Sequence, residues 1–114
     1  MQNLNITFDE IAKDIINTKK FNELKQENHH GLTRYVHVMR VSKFTYKIAK
    51  FFKLDYVSAT RAALLHDYYT NSDVKDISEP KKLKEHPYVA CINALSDFNL
   101  NEKESNAIKS HMFP

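Results

Sequence analysis

The sequence predicts an all-α protein, a compact bundle of five to six helices. One glycine and three prolines in 114 residues leave little material for the tight turns that strand-rich folds need. Apolar residues recur instead at steps of three and four along most of the chain, the period of a helix face. A mass of 13.4 kDa gives one domain, residues 1–114, room for a single continuous core. The lone cysteine, Cys91, excludes an intramolecular disulfide and any CxxC metal pair. A reducing, cytoplasmic setting is therefore expected, with Cys91 as inert packing.

Each element has a local signal. Thr7-Phe8-Asp9-Glu10 has the spacing of a capping box, and Phe8, Ile11, Ala12, Ile15 and Ile16 follow on one face. Lys19 to Glu27 is polar and partly helical, and Asn28-His29-His30-Gly31 reads as a loop whose glycine takes a conformation other residues resist. Thr33 caps a long helix running to about Lys53, with His37, Val41, Phe44, Ile48 and Phe52 on one stripe that the periodicity assigns to the core. Asp55 caps the next helix, in which Ala59, Ala62, Ala63 and His66 share a face of small residues. The polar stretch from Tyr69 to Pro80 is the longest expected loop, and Lys81, Lys82 and Lys84 after it read as solvated. His86-Pro87 then opens a helix facing inward with Val89, Ile92 and Leu95. Asn101-Glu102-Lys103-Glu104 resembles another capping box, ahead of Ala107, Ile108 and His111. Phe8, Ile15, Phe44, Phe52 and Ile92 are the expected core.

Charge and motifs narrow the function. The net charge is +3, with ten Lys/Arg against six Asp/Glu in residues 1–57 and seven against eight in the remainder. That excess falls short of a nucleic-acid-binding stripe but suits a small anionic ligand. The longest apolar run is Tyr88 to Ile92, too short to span a bilayer, so no membrane partner is expected. A single glycine cannot build GxGxxG or GxxxxGKS, so any phosphate chemistry must use side chains or a metal.

Six histidines are more than helix packing requires, and three fall on apolar sides of expected helices. A buried imidazole without a partner costs roughly 1–3 kcal/mol. His66 and Asp67 are adjacent, and helical neighbours diverge by about 100°, so they can share one ion only off the end of their helix. His37, central on its own face, is the natural third ligand. Two imidazoles and a carboxylate suit Mn, Fe, Co, Ni or Zn. Plainer roles exist for each: a core histidine bonded to a carbonyl for His37, a helix-terminal cation for His66 and His111, a cap before Pro87 for His86. Arg34 and Arg40 lie three residues on either side of His37, where they share its face or serve as ordinary solvated charges.

These residues, taken in order, resemble the HD superfamily of metal-dependent phosphohydrolases: Thr33-Arg34-Tyr35-Val36-His37-Val38-Met39-Arg40-Val41, then Ala62-Ala63-Leu64-Leu65-His66-Asp67, then His86-Pro87, then Ile108-Lys109-Ser110-His111-Met112. The likeness covers about residues 30 to 114. It looks most like the small single-domain bacterial type, in which His-Gly precedes the first motif helix and His-Met-x-Pro follows the last histidine. The resemblance implies that His37 is the first metal-binding histidine and His66-Asp67 the signature pair, with His86 and His111 as further ligands or substrate contacts. It implies one divalent transition metal, or two. Asp67 would also orient the reaction, Arg40 and Arg34 would offset phosphate charge, and His30 would meet the substrate. The implied activity is hydrolysis of a phosphate ester in a nucleotide or small phosphorylated metabolite. The family's cage is normally completed by an aspartate beyond the His-Met-x-Pro segment, whereas this sequence stops at Pro114. A non-catalytic metal- or ligand-binding module is therefore the alternative expectation.

Overall fold

The computed structural model describes residues 5–29, 31–76 and 79–110, and within them the chain is an all-α bundle of six helices. Helix α1 (Phe8–Ile16) starts at the expected capping box, with the Glu10 amide donating to Thr7 Oγ1 at 3.2 Å and the Thr7 amide to Glu10 Oε1 at 2.9 Å. It buries Ile11, Ala12 and Ile15. A short helix α2 (Lys19–Asn22), capped by Thr18, runs into a 3-10 turn at Glu23–Gln26. The loop expected next holds an antiparallel pair, β1 (Asn28–His29) and β2 (Leu32–Thr33). Gly31 sits there at φ +84 with nothing within 4 Å of the position a Cβ would occupy, so backbone conformation, not space, calls for glycine.

Helix α3 (Arg34–Phe51) begins where Thr33 Oγ1 accepts from the Val36 amide at 3.2 Å. It ends in a double bond pattern, Leu54 amide to Ala49 carbonyl at 2.9 Å and Lys53 amide to Lys50 carbonyl at 3.1 Å. That is a Schellman closure, and it places Lys53 in the left-handed region at φ 58. Asp55 caps α4 (Tyr56–Leu65) by accepting from the Ser58 amide. Helix α5 (Glu79–Asp97) precedes α6 (Glu102–Lys109), whose capping box joins Asn101 to Glu104. A 3-10 turn at Asn71–Val74 lies between α4 and α5.

Helix α4 is the hub. Ala62, Ala63, Leu64 and Leu65 are all within 1 % of complete burial, which makes its C-terminal half apolar on every side, as a central helix must be. Helices α1, α3, α5 and α6 pack around it, with Val38, Ala90, Cys91, Ala94 and Ile108 completing the core. Arg61 leaves the hub to reach Glu104 Oε2 at 3.2 Å and Asp14 Oδ2 at 3.3 Å, tying α4 to α6 and α1. No helix among the described residues is long and apolar enough to cross a membrane.

Two expected faces are rotated. Helix α3 buries Arg34, Val38, Ser42 and Ala49, while Phe44, Ile48 and Phe52 are exposed. Small residues let α3 approach the alanine-rich hub closely, and the bulky apolar stripe lies about a third of a turn away. Helix α5 likewise buries Pro87, Ala90, Cys91 and Ala94 and exposes Ile92 and Leu95. Of the expected core, Phe8 packs half-buried at the edge and Ile15 is fully enclosed. Helix α5 also starts at Glu79 rather than His86, so Pro80 occupies the first turn and Pro87 falls inside the helix, where it removes one backbone bond.

Candidate metal centre

The cluster forms where α4 runs out. His66 is the C-cap of that helix, and Asp67 follows in the turn closed by the Tyr68 amide on the Leu65 carbonyl. Leaving the helical path removes the divergence that adjacent helical side chains would have. His66 Nδ1 lies 2.6 Å from the Ala63 carbonyl. A carbonyl only accepts, so Nδ1 carries the proton and Nε2 is turned toward Asp67.

His37, from the first turns of α3, brings its Nε2 to 3.6 Å from Asp67 Oδ2, and His66 Nε2 is 3.4 Å from the same oxygen. The two rings are 5.4 Å apart at 62°. His86 on α5 adds a third imidazole, its Nε2 3.8 Å from Asp67 Oδ1. The side chains of His66 and Asp67 are 0 % and 3 % exposed, those of His37 and His86 18 % and 15 %. Two of the four side chains are sealed and two meet the surface.

The donor set fits a cation. Ligand atoms held at about 2.1 Å from one ion lie about 3.0 Å apart at right angles and about 3.4 Å apart in a tetrahedron, close to the spacings above. One donor atom from each of His37, His66 and Asp67 falls within 4.8 Å of the other two. A carboxylate withdrawn from water needs positive charge beside it. With Nδ1 on the Ala63 carbonyl, His66 presents Nε2 to Asp67 together with His37 and His86.

The other sequence-derived candidates are placed differently. Arg34 is buried, its NH1 donating to the Tyr69 carbonyl at 2.7 Å and lying 3.5 Å from Glu27 Oε1. Its guanidinium covers the Tyr69 ring at 4.1 Å, and that ring in turn packs 5.4 Å from the His86 ring. Arg40 is exposed and lines a shallow cleft with Tyr35, Val36, Met39 and Lys43. His30, His111 and the side chains of Lys81, Lys82 and Lys84 lie outside the described residues.

Tyr69 and Glu27 are site-wall residues that the sequence reading did not single out. Glu27 Oε1 also accepts from the Asn71 amide at 2.7 Å, and Asn93 Nδ2 donates to the Tyr68 carbonyl at 3.1 Å and to Asp73 Oδ2 at 3.2 Å. Burial pushes the Tyr69 phenol above its usual range, with Arg34 pulling the other way. An aromatic two residues after the His-Asp pair was the signal available for Tyr69; Glu27 had none, being 44 residues from Asn71. A separate, largely apolar groove of about 550 Å³, lined by Leu54, Ser58, Ala59 and Ala107 among others, lies at the opposite end of α4.

No family model, curated protein or solved structure matches the chain.

Proposed function

We propose that this protein is a metal-dependent phosphohydrolase of the HD type, acting on a nucleotide or a small phosphorylated metabolite. One observation carries the reading: His37, His66 and Asp67, from two separate helices and the turn after one of them, converge with donor spacings suited to a single cation. His37 and His66 would hold it through Nε2 and Asp67 through Oδ2, with His86 at the free side of the carboxylate. A divalent Mn, Fe, Co, Ni or Zn ion supplies Lewis-acid charge and activates water near neutral pH. The chain's own part is to fix the ligands. The Ala63 carbonyl sets the His66 tautomer, and Tyr69 packs on the His86 ring. The same reading places the protein in a reducing cytoplasm, with Cys91 as a buried free thiol.

A second reading has its own support. Arg34 is engaged by Tyr69 and Glu27, and Arg40 faces a different cleft, so neither arginine that the sequence offered to a phosphate is presented at the cluster. That arrangement favours a metal- or ligand-binding module without turnover. Elemental analysis of the purified chain, paired with a nucleotide and phosphoester panel in added Mn, Co or Fe, separates the two. About one metal per chain with turnover is the expected result. Metal without turnover selects the binding module, and absence of both defeats the metal centre itself.

A further inference from the structure

The C-terminal half of the stripe that helical periodicity assigned to the core lies on the outside, with Phe51 beside it. Phe44, Ile48 and Phe51 follow one another at steps of four and three along α3 and are 65 %, 42 % and 77 % exposed; Phe52 at 62 % and Leu54 at 60 % carry the surface through the turn into α4. Single exposed apolar residues are ordinary, but five large ones on one helix end form a patch of the kind that marks an interaction site.

Along α3 itself the charge has one sign, and the first carboxylate after the patch, Asp55, is paired with Lys103 at 3.2 Å. Residues 28–54 contain six Lys/Arg and no Asp/Glu, and Arg40, Lys43, Lys47 and Lys53 among them are exposed. At about 100° per residue, Arg40, Lys43 and Lys47 fall along one flank of the Phe44–Ile48–Phe51 stripe. We propose that this face of α3 docks on an anionic phospholipid bilayer, lying in the plane of the interface. The phenyl and aliphatic groups enter the boundary of the acyl chains while the cations meet the headgroups. The short apolar run that argued against a membrane partner argues only against spanning, and adsorption needs no such run. This proposal is independent of the metal centre.

Three features select the occupant. An antiparallel second copy, related by a two-fold axis lying across the helices, would bring the row of cations against itself. Nucleic acid would stack on Phe44 and Phe51 but gives aliphatic Ile48 and Leu54 nothing to do. A bilayer accepts both kinds of side chain. Exposure is also greatest at the end of α3, where Phe51, Phe52 and Leu54 project around the Lys53 turn, the shape of an inserting knuckle rather than of a groove for a partner helix.

The test is co-sedimentation of the purified chain with vesicles of phosphatidylcholine alone and of phosphatidylcholine mixed with phosphatidylglycerol. Partitioning onto the anionic vesicles is expected to be about tenfold or more stronger, and to weaken with added salt. Phe44→Ser/Phe51→Ser and Lys43→Gln/Lys47→Gln should each lose about tenfold of that binding, with unchanged circular dichroism and thermal midpoint. Equal partitioning onto both vesicle types, unchanged adsorption of either variant, or no adsorption at all overturns the proposal. A dimer in light scattering that the phenylalanine variant abolishes, without vesicle binding, assigns the face to a second copy instead.

Discussion

At the scale of single residues, the cluster around Asp67 separates candidate ligands from the groups that hold them. Asp67→Asn keeps the shape but removes the charge that two imidazoles face, and His66→Ala removes a donor whose tautomer is fixed by Ala63. Each is expected to lower metal affinity by about 100-fold or more, since even loss of a group that only orients a ligand costs about 10–100-fold; titration with a competing chelator measures it. Arg34 acts through packing and hydrogen bonds. Arg34→Ala leaves the Tyr69 carbonyl and the Glu27 carboxylate without their cation, so the unfolding free energy from denaturant titration should fall by about 2 kcal/mol, with Arg34→Lys recovering only part because a lysine cannot both bond the carbonyl and cover the ring. His37, His66 and Asp67 were legible in the sequence from residue type and motif order, since the periodic stripe that carried His37 was assigned to the wrong face. The sequence offered Arg34 to a phosphate or to solvent, and neither reading foresaw its burial, because its partners Tyr69 and Glu27 come from segments that no local pattern announces.

Helix starts were the most legible elements, since each cap is a contact within three residues: Thr7 to Glu10, Thr33 to Val36, Asp55 to Ser58, Asn101 to Glu104. Burial is decided elsewhere. The inward face of α3 is chosen by the alanines of α4, and a pattern of bulky apolar residues points to the wrong side when the neighbour rewards small ones. The start of α5 was hidden for another reason: a polar stretch with proline near each end of the candidate region reads as loop followed by helix.

Two predictions belong to these ends. The bond from the Ser58 amide, chiefly, holds the Asp55 carboxyl below its usual 3.8. A carboxyl depressed in the folded state binds its proton more readily once unfolded, so its contribution is complete above the unfolded value and disappears as pH falls through the lower folded one. Asp55→Asn should preserve the cap yet flatten this part of the acid limb of an unfolding curve, whereas Asp55→Ala should cost about 1 kcal/mol near neutrality. At the other end of the preceding helix, Lys53 pays for a left-handed conformation that glycine adopts freely. Lys53→Gly is expected to raise stability by about 0.5–1 kcal/mol, read from the thermal midpoint.

Over the whole molecule, which measures 48 × 24 × 23 Å, burial is densest along α4. Ala62 and Ala63 are 1 % and 0 % exposed, so a larger side chain at either must push a surrounding helix outward. Ala63→Leu should therefore cost about 1–3 kcal/mol and, because the Ala63 carbonyl anchors His66, should also disturb the cluster; calorimetry and metal titration on one variant test both. The hub thus serves two ends at once, with the cluster beyond its C-terminus and the apolar groove beside its N-terminus.

The segment after Asp67 is moored on three sides: Tyr69 to Arg34 of α3, Asn71 to Glu27 ahead of the hairpin, and Tyr68 and Asp73 to Asn93 of α5. A strip fastened in this way has no hinge on which to swing. With the metal reading, an ion would enter past His37 and His86, the more exposed side chains of the cluster, and stopped flow is expected to show one concentration-dependent phase and no slow isomerisation behind it.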